Sequence, residues 1–129
     1  MINVVAAIII DNNKIFIAER NKNKSQGGLW EFPGGKIESG ETKEQALIRE
    51  IKEELDMDII VKEEFTNIVY NYPDKTINLT ALICQKTSNN YKLLEHESSA
   101  WTTTNELKNY KFAPADILIV DKILENFKN

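Results

Sequence analysis

Leu47, Ile51 and Leu55 recur every four residues behind Thr42, and the chain on either side of them reads as β-strand. An apolar stripe at that spacing lies along one face of an α-helix and must be buried against another layer. Thr42 suits the N-cap because its hydroxyl can accept a backbone N–H, and Gln45 stands three residues later as in a capping box. The spacing therefore predicts a helix from Thr42 to about Leu55 lying on a sheet.

The strands that surround it are legible from β-branched runs and turn residues. Val4 to Ile10 and Ile15 to Ala18 flank Asp11-Asn12-Asn13-Lys14, a hairpin with an Asn-rich turn. Leu29 to Phe32 is a short strand closed by Pro33-Gly34-Gly35, and residues 21–28 and 37–41 are loops. Val61 to Tyr72 and Thr76 to Gln85 pair around Pro73-Asp74-Lys75, and Ser98 to Thr102 is one more short strand. Pro114 opens a last helix, with Ile117, Val120, Ile123, Leu124 and Phe127 as its stripe. The order β-β-β-α-β-β-β-α implies an α/β (α+β) fold, a mixed sheet carrying helices on its faces.

Residues 1–129 suffice for a single domain and not for two. Cys84 is the only cysteine, so no internal disulfide forms. It is read as a small core residue, and Trp30 and Trp101 as packing residues. The run Val4 to Ile10 is too short to cross a bilayer and no basic segment precedes it. The expectation is a soluble cytoplasmic protein, monomer or homodimer, with no membrane partner. The net charge is −4 and no Lys/Arg stripe is present, which argues against duplex nucleic acid as a partner.

Chemistry concentrates in Arg49-Glu50-Ile51-Lys52-Glu53-Glu54. On a helix of about 100° per residue, Glu50, Glu53 and Glu54 share one arc beside the apolar stripe. Like charges so placed repel, and hard divalent cations with oxygen ligands relieve that repulsion. For an isolated Glu-x-x-Glu-Glu a solvated acidic face with Lys52 and Arg49 as partners is the more common reading, but the residues upstream give this one a context. Gly35, Glu41 and Arg49-Glu50-Ile51-Lys52-Glu53-Glu54-Leu55-Asp56-Met57 fall at the spacing G-x5-E-x7-R-E-U-x-E-E-x-G-U, where U is bulky and aliphatic.

This pattern resembles the Nudix box. Its one departure is Asp56, which stands where the box has glycine. That position follows a helix end, where a left-handed backbone is common and Asp is tolerated better than most residues. The resemblance extends to Val4-Val5-Ala6-Ala7-Ile8-Ile9, to residues 28–38 and to Ala113-Pro114-Ala115-Asp116, which are similar to the MutT-type branch. It implies a Nudix-type α/β/α sandwich with a central mixed β-sheet. It also implies Mg²⁺, with Mn²⁺ as substitute, and attack of water on an internal phosphorus of a small-molecule nucleotide. The products would be a nucleoside monophosphate and pyrophosphate, in the manner of 8-oxo-dGTP diphosphatases and CTP pyrophosphohydrolases.

Carried over by position, the resemblance makes Glu50, Glu53, Glu54 and the Gly34 carbonyl metal ligands. Arg49 and Glu41 orient the glutamates. Glu95 joins the metal or acts as base, with Glu50 the other candidate base and Glu97 a competitor for the place of Glu95. Arg20 and Asp116 flank the nucleobase, and Phe32 or Leu79 supplies an apolar wall. An ionised Asp116 would accept from guanine-type or cytosine N–H groups, although an Asp near a helix start can instead simply complement the dipole. His96, the only histidine, is read as incidental. The whole set of box glutamates favours an enzyme over a nucleotide sensor. The segments Trp30 to Gly35 and Ala113 to Asp116 favour triphosphates over ADP-ribose or dinucleotides.

Overall fold

The computed structural model describes residues 1–127. Strands β1 (Ile2–Asp11) and β2 (Lys14–Glu19) form the expected hairpin. Its turn residues Asn12 and Asn13 have φ of 51° and 63°. Both central positions of such a tight turn need positive φ, and Asn tolerates it. Then come β3 (Trp30–Glu31), β4 (Gly34–Lys36), α1 (Lys43–Leu55), β5 (Ile59–Tyr72), β6 (Lys75–Lys86), β7 (Ser98–Thr102) and α2 (Pro114–Asn126). A 3₁₀ turn at Asn105–Asn109 plugs the core with Leu107.

The sheet runs β3-β2-β1-β6-β5, with β4 on β1 and β7 on β2. β1 and β6 are parallel from Ile2 opposite Ile77 to Ile10 opposite Gln85, and the other pairings are antiparallel, so the sheet is mixed as expected. Side chains alternate along a strand, and β1 uses both faces. Val5, Ala7 and Ile9 pack with Leu47, Ile51 and Leu55 of α1, whereas Ala6 and Ile8 pack with Ile119, Val120 and Ile123 of α2. A strand covered on both sides must be apolar throughout, which explains the unbroken run from Val4 to Ile10.

The capping box forms: Gln45 N–H donates to Thr42 Oγ1 at 3.1 Å, and Thr42 N–H donates to Gln45 Oε1 at 3.0 Å. Such a cap contributes about 1 kcal/mol, and full burial of each stripe residue about 1.5–3 kcal/mol.

Two expectations need correction. Gly34 and Gly35 do not merely close the preceding strand: with Lys36 they form a strand of their own, β4, paired with Val4, Val5 and Ala6. A Cβ on Gly34 would overlap the Val5 backbone, so glycine is what lets this strand approach β1. The stripe of α2 is also rotated from the expected one. Ile117 is 46% exposed, and Ile119, with Ala115, takes the buried side.

Asp56 adopts the left-handed conformation, φ 49° and ψ 41°, and its N–H closes on the Lys52 carbonyl. Its carboxylate lies 3.3 Å from Lys52 Nζ in an exposed pair, which adds little stability. Asp56→Gly should therefore stabilise the fold by about 0.5–1 kcal/mol, because glycine enters this region without a Cβ penalty. Thermal melts of the two proteins check this; a lower midpoint for the glycine variant contradicts it.

Candidate active site

β4 carries Gly34 and Gly35 beneath α1, and this contact fixes the acidic side of the helix. A Cβ at Gly35 would overlap the Glu50 carboxylate, so the backbone there serves as the floor of the site. Arg49 clamps the approach. Its Nε and Nη2 donate to the two oxygens of Glu41 at 2.6 and 2.9 Å, Nη2 also donates to the Lys36 carbonyl at 3.1 Å, and Nη1 donates to Glu53 at 3.0 Å. Paired charged bonds of this kind fix geometry as well as energy. The Arg49 guanidinium and the Glu38 amide hold the Glu41 carboxyl down at about 2, and Glu41 in turn raises the affinity of Arg49 for its proton.

The three helix carboxylates are not equivalent, which the even arc read from the sequence did not show. Glu54 is only 6% exposed and its Oε1 has no hydrogen-bond partner among the described residues. Burial, then the charges of Glu31, Glu50 and Glu95, push its carboxyl up to about 9 against a weaker opposing effect from the Gly34 amide. Burial likewise raises Glu50, partly offset by Arg49. Glu53 is exposed and its carboxylate is engaged by Arg49.

Glu50, Glu54, Glu95, Gly34 and Gly35 line one cavity of about 260 Å³, together with Lys24, Lys36 and His96. Glu53 does not line it. Glu95 is 45% exposed, with Lys24 Nζ at 3.4 Å. The donors gathered here are hard oxygens, one of them an orphaned, buried carboxylate atom, and that set fits a divalent cation such as Mg²⁺.

A second cavity of about 210 Å³ adjoins the first and shares Arg20, Glu31, Gly34 and Gly35 with it. Its walls include Phe32, Leu79 and Asp116, so the residues expected around a base are brought together, with Tyr72, Lys75 and Ile77 added. Phe32 is itself buried and stacks on Phe112 at 5.4 Å between ring centroids. Asp116 Oδ1 accepts the Phe32 N–H at 3.0 Å. Asp116 therefore ties α2 to the end of β3, and the N-cap of α2 is Ala113. Burial and then the charge of Glu31 push its carboxyl up to about 8, so near neutrality it carries a proton. One Asp116 oxygen is therefore occupied, and the other can accept when the carboxyl is ionised or donate when it is protonated.

Sequence reasoning missed Glu31 and His96. His96 is not incidental: its side chain is 5% exposed and its Nε2 lies 2.9 Å from Glu31 Oε2 and 3.9 Å from Glu54 Oε1. The three offer ligand atoms within 4.8 Å of one another. The only advance signal was that Glu31 sits between two aromatic residues in a strand otherwise bound for the core. Trp30 packs on Tyr110, Trp101 on Phe16, and Cys84 is buried, as expected.

A three-layer fold with a glycine-floored, carboxylate-lined cavity under its first helix is the arrangement of a Nudix domain. The chain belongs to this family: residues 4–122 match the NUDIX domain. It is 37% identical over 124 residues to the CTP pyrophosphohydrolase of Escherichia coli K12, covering 96% of this chain and 92% of the relative. It is 33% identical over 119 residues to the 8-oxo-dGTP diphosphatase of the same organism, covering 92% of each. The solution structure of the DNA mismatch repair protein MutT (family Nudix hydrolase) from methicillin-resistant Staphylococcus aureus 252 superposes with a TM-score of 0.76. The two are 44% identical, and the match covers 96% of this chain and 95% of that one. No helix among the described residues is long and apolar enough to cross a membrane.

Asp116 has a consequence for stability. A carboxyl with an unperturbed value of 3.8 and a folded value of about 8 binds more protons folded than unfolded between those limits, so its contribution to stability falls as pH rises through that window. Asp116→Asn keeps the shape and removes the titration. Denaturant unfolding without added metal should show the wild type losing stability more steeply than Asp116→Asn from about pH 5 to 8. Parallel curves would refute the assignment.

Proposed function

We propose that this protein hydrolyses nucleoside triphosphates with Mg²⁺, releasing the nucleoside monophosphate and pyrophosphate, and so sanitises the nucleotide pool. The observation that carries the reading is the pair of adjoining cavities, one lined by carboxylates and one walled by Phe32 and Leu79, that meet at Arg20. A nucleotide has the same two-part character. The activities named for the E. coli relatives agree with it.

In this reading Glu50, Glu54, Glu95 and the Gly34 carbonyl hold the divalent ion, and Glu53 and Glu41 act through Arg49 to fix the helix face. The ion's chemistry is to screen phosphate charge and stabilise the leaving oxygen. Glu50 is the better placed base, since its carboxylate lies against Gly35 inside the cavity, whereas Glu95 is half exposed and beside Lys24. Asp116 uses its remaining oxygen to read the base. A guanine-type base or cytosine offers N–H groups that the ionised carboxylate accepts and that uracil and thymine lack at the corresponding exocyclic position, so discrimination against UTP and dTTP belongs to the ionised form of Asp116.

A panel of nucleoside di- and triphosphates, including 8-oxo-dGTP, dGTP, CTP and UTP, tests the reading by product analysis. Pyrophosphate release with Mg²⁺ or Mn²⁺, abolished by EDTA, is expected; full activity in EDTA overturns it. Within that assay, Glu54→Gln should lower kcat by at least about 10³-fold, and Glu53→Gln at least tenfold less severely, because only the former removes a buried carboxylate from the cavity. Equal losses would contradict the geometric distinction between them.

A further inference from the structure

The two cavities meet at Arg20 and Glu31, and the contacts behind that junction form a chain. Glu31 Oε1 accepts from Arg20 Nη1 at 2.9 Å, and Glu31 Oε2 lies 2.9 Å from His96 Nε2. Arg20 Nε donates to the Ser25 carbonyl at 2.8 Å. The guanidinium is thus held at two of its three nitrogens, and Nη2 makes no hydrogen bond among the described residues. His96 stands between Glu31 and Glu54, two carboxylates that would otherwise face each other. Its side chain is 5% exposed, which fixes the ring by packing.

We propose that His96 is a positioning residue for the nucleotide: it holds Glu31, and Glu31 holds the Arg20 guanidinium at the junction with Nη2 free for the substrate. This deepens the nucleotide reading above and rests on it. A long arginine side chain loses rotamer freedom when it binds, and a guanidinium already fixed at Nε and Nη1 has lost that freedom beforehand. The benefit appears in binding, in the ground state and transition state alike, so it appears in KM. Glu31 is the middle member, since among the described residues it alone hydrogen-bonds to both Arg20 and His96. Without the imidazole, Glu31 has one partner in place of two and can rotate, and Arg20 rotates with it.

The test compares wild type, His96→Ala, His96→Gln, Arg20→Ala and the double variant His96→Ala/Arg20→Ala, with CTP and 8-oxo-dGTP as substrates. His96→Ala should raise KM about three- to tenfold and leave kcat within about twofold. His96→Gln should restore most of the loss, since its amide can donate to Glu31 as Nε2 does. On the Arg20→Ala background, His96→Ala should add almost nothing, because the residue it acts through is gone. Mn²⁺ affinity of the free protein, read by electron paramagnetic resonance, should be the same in wild type and His96→Ala. Weaker Mn²⁺ binding, or a fall in kcat at constant KM, would place His96 on the ion site and overturn the proposal. Additive penalties in the double variant would also overturn it. Should His96→Ala fail to fold, the His96→Gln variant decides: near-wild-type KM is expected, and a KM raised as far as that of Arg20→Ala contradicts the relay. Arg20→Ala with unchanged KM would refute the nucleotide reading of the junction. Raised KM in Arg20→Ala beside an unaffected His96→Ala would refute the relay alone.

Discussion

Glu50 and Glu54 are neighbours on one turn of α1 in a place that neither leaves them in water nor gives them enough positive charge. Burial and the charge of neighbouring carboxylates favour their neutral forms, yet a divalent cation needs them ionised. Much of the fold can be understood as the means of holding that arrangement. Leu47, Ile51 and Leu55 press α1 onto β1, and Gly34 and Gly35 bring a bare backbone beneath the carboxylates. Arg49, beside Glu50 on the same helix, supplies a nearby cation, and Glu41 fixes Arg49 in turn.

The sheet sets where the other half of the site lies. Because β1 is covered on both faces, the same strand supports α1 on one side and α2 on the other. β3 crosses between these two regions. Glu31 within it reaches the acidic cavity, and the next amide, Phe32 N–H, is taken by Asp116 of α2. The carboxylate-lined cavity and the one walled by Phe32 and Asp116 are therefore joined through consecutive residues of the chain.

Legibility in the sequence followed the range of the interaction. The capping box, the α1 stripe, the Asn12-Asn13 turn and the left-handed Asp56 depend on residues within a few positions, and the structure places them as read. β4 was hidden because Gly-Gly has no intrinsic strand preference, and its reason to be a strand lies in β1, far along the chain. The phase of α2 slipped because Ile117, Leu118, Ile119 and Val120 are consecutive apolar residues, and only the sheet decides which of them face inward. His96 and Glu31 are 65 positions apart, so nothing local announced their contact. The burial of Glu54, compared with the exposure of Glu53, depends on what packs over each and not on helix geometry alone.

Whether the cavity around Glu54 holds a divalent cation is decided by unfolding measured with and without Mg²⁺, which needs no assumption about substrate. An ion that binds only the folded state raises its stability in proportion to the logarithm of its concentration. Millimolar Mg²⁺ should raise the thermal midpoint of the wild type and leave Glu54→Gln almost unmoved. Identical melting curves for the wild type with Mg²⁺ and with EDTA would contradict it.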